Sequence, residues 1–182
     1  MNSTEKAIDQ TRKWINDVVV GCNFCPFASR VMKRNAVEYR VIDHEDVAAC
    51  LQALLDECKF LEEHTETETS FLIFPTGFTD FLAYLDMVAL AEEILEAEGF
   101  EGVYQVASFH PDYRFEGAPS ADPANYTNRS PYPMLHILRE ESIEKALEHY
   151  EGDPEEIPER NVDFARNKGL AYMKLLRDTC ME

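Results

Sequence analysis

The sequence predicts a single α/β domain over residues 1–182, a mixed four-stranded sheet with helices packed on it in the order αβαβαββαα. Three observations point there. Apolar residues at helical spacing alternate with short β-branched or apolar runs, helix-sized segments separate the first three strands, and a long loop stands where a fourth crossover would be. Ser3 or Thr4 can cap a first helix from about Thr4 to Val20, because Ala7, Ile8, Thr11, Trp14, Ile15, Val18 and Val19 share one face and Gly21 follows as a stop. Val37 to Asp43 reads as a strand, and Val47, Cys50, Leu51, Leu54, Leu55, Cys58 and Leu61 mark the next helix.

Thr69 to Phe74 is an apolar run closed by Pro75 and Gly77, which suits a buried strand. Asp80 caps a helix carrying Phe81, Leu85, Val88 and Leu95, and Gly99 ends it. Gly102 to Phe109 and Met134 to Leu138 are the last strands, followed by helices at Ser142 to Tyr150 and about Pro158 to Asp178. Strands joined through helices should run parallel, and the last two, joined by a loop, antiparallel.

Composition narrows the function classes. Seventeen basic against 35 acidic side chains give a net charge of −18, a field that repels nucleic acid and anionic membrane surfaces. No stretch has the apolar length of a membrane span, and Met1 to Thr11 carries charges where a signal peptide needs an apolar core. Cysteines number five, and Cys50 and Cys58 fall on a helix's apolar stripe, so a reducing, cytoplasmic setting is expected. No cofactor is implied, and the oligomeric state is left open.

The loop from Phe109 to Pro133 is longer than an antiparallel connection needs. It holds five of the nine prolines, which favour a fixed shape, and Asn125, Thr127, Asn128 and Ser130 offer local hydrogen bonds. His110 to Arg139 also concentrates Arg114, Arg129, His136 and Arg139 in an otherwise acidic chain. Arg129 and Arg139 suit a carboxylate or phosphate, so a small anionic molecule is the expected partner. The alternative is that these arginines pair with Asp112, Glu116, Asp122, Glu140 or Glu141 and hold the loop.

Cys22-Asn23-Phe24-Cys25-Pro26-Phe27 admits four readings. It is a thiol-disulfide pair, although the helical period before it argues against the strand such motifs follow. It supplies a zinc site with His110 and His136, a weak signal from one CxxC. Or Cys25 alone is a nucleophile, with His110 or His136 as base and Arg129 or backbone amides receiving charge. The fourth reading is a small buried thiol among Phe24, Pro26 and Phe27. His136, between Leu135 and Ile137, reads equally as a core histidine bonded to backbone.

Three segments carry a resemblance: Asn23 to Ala28, Gln105 to Phe115 (QVASFHPDYRF) and Asn125 to Glu140 (NYTNRSPYPMLHILRE). In these, and from the tryptophan-bearing first helix through Ile157-Pro158-Glu159-Arg160-Asn161, the chain resembles a bacterial family known as domain of unknown function 1415. The resemblance implies a short single-domain protein with signature positions Cys25, His110, Tyr113, Asn128, Arg129, Ser130, His136 and Arg139, and it brings no established activity. It also implies an apolar residue where this chain has Cys22, which shifts weight toward Cys25 acting alone or being structural. The expectation is therefore a pocket roofed by the loop. Cys25, His110 and His136 are its catalytic candidates, and Tyr113, Asn128, Arg129, Ser130 and Arg139 its substrate-binding ones. The rival is a binding protein that uses the same loop without turnover.

Overall fold

A computed structural model describes residues 2–182. The first helix, α1 (Ser3–Trp14), widens into a π-helical segment, Ile15–Val20. There follow α2 (Ala28–Lys33), β1 (Val37–Val41), α3 (Val47–Glu63), β2 (Thr69–Ile73), α4 (Phe81–Ala97) and β3 (Tyr104–Phe109). After the loop come β4 (Met134–Arg139), α5 (Glu140–Glu148), α6 (Ile157–Lys168) and α7 (Leu170–Asp178). The sheet order is β1-β2-β4-β3, with β1 and β2 parallel and β4 antiparallel to both β2 and β3. The first three strands thus run one way, and β4 is inserted, reversed, between the second and third.

Both faces of the sheet are covered. Leu72, Phe74, Leu135 and Ile137 point toward α3 and α4, where they meet Leu54, Cys58, Leu61 and Met87. The alternate residues Phe71, Ile73 and Met134 point the other way, onto Trp14, Ile15, Val18, Tyr126, Ala165 and Met173. Double coverage explains why β2 reads as a continuous apolar run rather than an alternating one. Each such side chain contributes roughly 1.5–3 kcal/mol by leaving water. A charge enters this interior: Glu57 of α3 is fully buried, accepts the Ser70 hydroxyl at 2.7 Å and pairs with Nε of Arg40 on β1 at 2.8 Å.

Four local expectations are corrected. Asn2, not Ser3 or Thr4, caps α1, in a reciprocal pair with Glu5 that satisfies both backbone N–H groups. The helix from Thr4 to Val20 is not uniform, since the N–H of Gly21 reaches back five residues to Asn16 at 3.0 Å and that of Phe24 to Val19 at 2.9 Å. The short α2 was not expected, having too few residues to show a period. The closing helix breaks at Gly169, whose φ of 83° and ψ of 162° belong to a region only glycine enters readily.

Candidate functional site

A cavity of about 340 Å³ lies between the face of the sheet that bears Phe71 and the layer made by α1, its π-helical continuation, α2 and α5. Its wall is apolar for the most part, with Trp14, Phe71, Phe109, Leu138 and Ile143 contributing. Among these stand a thiol, Cys25, and an imidazole, His136.

His136 sits at mid-strand in β4, beside Phe71 of β2 and Ala107 of β3. Its ring stacks on Phe71 with centroids 4.0 Å apart and planes 5° from parallel, and Phe71 in turn stacks on Tyr39. Nε2 lies 2.6 Å from the hydroxyl of Thr69, and that hydroxyl donates to the carbonyl of Ile137 at 2.5 Å. With the hydroxyl proton committed, Nε2 carries the ring proton and Nδ1 is left as an acceptor. Among the described residues Nδ1 makes no hydrogen bond. Burial pushes the pKa down to about 3, so the ring is neutral.

Cys25 reaches the cavity by a different route. The π segment ends at Gly21, where an added Cβ would stand 2.3 Å from the carbonyl oxygen of Asp17. The chain then turns through Asn23, at φ 55°, into α2. The turn is held from α6: Arg160 donates to the carbonyl of Asn23 at 2.8 Å and Asn161 to that of Phe24 at 2.7 Å. Phe24 is buried with its ring edge against Phe164. Burial raises the pKa of the half-buried Cys25 thiol, against the pull of the Phe27 and Ala28 N–H groups, so the resting group is a protonated thiol.

The other expected site residues lie elsewhere. His110 is 1% exposed on the α4 side, against the rings of Phe81 and Tyr84. Its Nε2–H donates to the carbonyl of Phe78 and its Nδ1 accepts from the N–H of Asp112, both at 2.9 Å, which uses both nitrogens. Burial lowers its pKa as well. Arg129 donates to the carbonyls of Tyr113 at 3.0 Å and Ser120 at 2.9 Å, with its guanidinium over Tyr126. Asn128 donates to the carbonyl of Ser108 at 3.3 Å, and Ser130 to that of Tyr132 at 2.5 Å. The Tyr113 ring packs on Phe81. These groups hold the loop, through backbone carbonyls rather than through acids. Asp122 is taken instead by Arg166 of α6 at 2.8 Å, which holds its carboxyl below the usual range.

Arg139 contributes to the cavity wall, but its guanidinium closes the C-terminal end of α3. It donates to the carbonyls of Leu61, His64 at 3.2 Å and Thr67 at 3.1 Å. Of eight candidates, the structure brings Cys25, His136 and Arg139 to one cavity and places the rest in the loop's framework. No three of His, Cys, Asp and Glu come together in a metal-holding group among the described residues. Cys22 joins the core with Phe24, and the segment before the CxxC is helical, so among the described residues there is neither the cluster a zinc site needs nor the strand that precedes the CxxC in the thiol-disulfide reading.

Sequence reasoning missed Thr69, Arg160, Asn161 and the indole of Trp14, whose Nε1–H donates to the carbonyl of Arg129 at 3.1 Å and ties loop to first helix. The Arg160-Asn161 pair and Trp14 left a trace, at the two ends of the resemblance.

Fold and cavity together define a mixed α/β domain with a partly open, mostly apolar site bearing one thiol and one neutral imidazole. The chain belongs to the DUF1415 family, described as proteins of unknown function, whose family model matches residues 6–175. No curated protein and no solved structure matches the chain. Among the described residues, no helix is long and apolar enough to cross a membrane.

Proposed function

We propose that the chain binds a small, largely apolar molecule in the cavity, with a hydrogen-bond donor of that molecule on Nδ1 of His136 and its outer end beside Cys25. The observation that carries this reading is the cavity itself: about 340 Å³ of mostly apolar wall around a small number of polar groups, the usual make-up of a ligand site. An acidic group on the ligand would meet Arg30, a wall residue paired at 3.5 Å with Glu68, which also lines the cavity, and would take the place of that carboxylate. This keeps a small anionic molecule as partner but moves its charge from the loop arginines to the cavity mouth. A cytoplasmic setting is part of the proposal, since five free thiols persist there.

The test uses N-phenyl-1-naphthylamine, a neutral dye that fluoresces in apolar surroundings. Saturable fluorescence that is lost in Ala146→Trp, a variant that fills the cavity from α5, supports the reading. No saturation, or equal binding by a folded Ala146→Trp, overturns it.

A second reading, favoured by the thiol and imidazole lining one cavity, makes Cys25 a nucleophile in acyl or group transfer. Its sulfur would attack an electrophilic carbon as the bond from that carbon to the leaving group breaks, and the thiol proton would go out with the departing group, since burial keeps the His136 ring neutral. With p-nitrophenyl acetate this reading expects one equivalent of nitrophenolate and one acetyl group on Cys25, both absent in Cys25→Ser. Acetylation elsewhere removes it.

A further inference from the structure

Arg129 and Arg139 are committed to backbone carbonyls, yet a different part of the surface collects uncommitted donors. A groove of about 640 Å³ lies between α1 with its π segment, α2 and the edge strand β1. Arg12, Asn16, Ser29, Lys33, Asn35 and Tyr39 supply its polar lining, and no carboxylate contributes to it. In a chain with 35 acids and 17 bases that is an unusual local balance. It touches the cavity beside Cys25 and His136 only through the shared wall residues Met32 and Val37.

The donors are available. Among the described residues, the side chains of Asn16, Ser29, Lys33 and Asn35 make no hydrogen bond or ion pair. Arg12 lies with its guanidinium over the ring of Tyr39, 4.8 Å from the centroid, and its one ion-pair partner, Asp9, is 3.9 Å away with both groups more than half exposed. Such a pair contributes little and gives way readily to a better acceptor. The left-handed backbone of Asn35, at φ 52°, turns the chain from α2 toward β1 and sets the groove's far edge. The Arg12 guanidinium is thus oriented by a ring, leaving its N–H fork for a planar or tetrahedral oxyanion.

We propose that this groove binds the phosphate of a small phosphorylated molecule. Two full cations match the charge of a phosphate monoester at neutral pH, and the neutral donors Asn16, Ser29 and Asn35 suit its several acceptor oxygens. A monocarboxylate would leave one cation and most of those donors unused. The groove holds more than phosphate alone, so the ester's organic part lies over Val20, Met32 and Val37. This site is independent of the cavity and of the function proposed for it.

The probe is glycerol 3-phosphate, with glycerol and acetate as controls, followed by backbone amide chemical shifts of the full chain at fixed ionic strength. Saturable shifts at residues 29–35 and around Arg12 are expected. Lys33→Gln and Arg12→Gln should each weaken binding by about tenfold. Lys145→Gln, an exposed lysine outside the groove, should leave it unchanged. Lys33 and Arg12 are exposed, so both variants should fold, which circular dichroism checks. The proposal is overturned by shifts that fail to saturate, by equal binding in folded Lys33→Gln, or by acetate binding as tightly as the phosphate ester.

Discussion

The imidazole of His136 lies flat on Phe71 and gives its one ring proton to Thr69, 2.6 Å away. A neutral ring in this position makes folding sensitive to acid. The folded pKa, about 3, lies below the ordinary 6.5, so between those values the unfolded chain binds more protons and stability falls as pH falls. Above pH 6.5 the penalty is absent, and it is complete once pH drops to about 3. Urea unfolding at pH 7 and pH 5 should show the native chain losing on the order of 1–2 kcal/mol more than His136→Phe. Parallel losses would mean that the ring protonates freely when folded.

Gly21 has its place for want of a side chain. A methyl group there collides with the Asp17 carbonyl unless the π segment gives way. Gly21→Ala should cost roughly 1–3 kcal/mol, by thermal unfolding, and speed the alkylation of Cys25 as the turn loosens. An unchanged melting temperature would show that the wide helical turn is not required.

Asn161 acts on Cys25 from a distance, through the carbonyl of Phe24. Asn161→Ala should cost only about 1 kcal/mol of stability. The alkylation rate of Cys25 should nonetheless rise several-fold under conditions where both proteins stay folded. If rate and stability instead change only together, Asn161 supports the fold in general and not this turn.

The pair of Glu57 and Arg40 should respond unequally to its two deletions. Removing the cation in Arg40→Met strands a carboxylate that is fully buried and should cost roughly 3–5 kcal/mol. Removing the acid in Glu57→Met leaves a half-exposed guanidinium that turns to water, at a cost of about 1–3 kcal/mol. Denaturant unfolding of both variants checks the order. The reverse order would place the desolvation on the arginine.

Periodic segments were legible in the sequence because burial imposes period. The α3 stripe, the β2 run and the Asp80 cap stand where their residue patterns put them, with the Asp80 side chain accepting from Ala83 at 2.9 Å. The insertion of β4 between β2 and β3 was not legible, since strand order depends on long-range pairing that no local pattern encodes. The candidate site was half legible for a related reason. Composition marked Cys25, His136, His110 and Arg129 as residues able to do chemistry, but it carries no information on whether a polar atom already has a partner. His110 and Arg129 spend their hydrogen bonds on backbone carbonyls and one backbone N–H, and the acids expected as partners of the arginines do not pair with Arg129. Thr69 was invisible because its role depends on which strand lies beside β2.

The claim on which the site rests is that the Cys25 thiol and the His136 ring face one cavity. Alkylation of Cys25 with N-ethylmaleimide, followed by the ring nitrogen and carbon resonances of every histidine, reads this directly. The His136 ring signals should move while those of His110 stay fixed. Movement at His110, or none at His136 after complete modification of Cys25, would contradict a shared cavity.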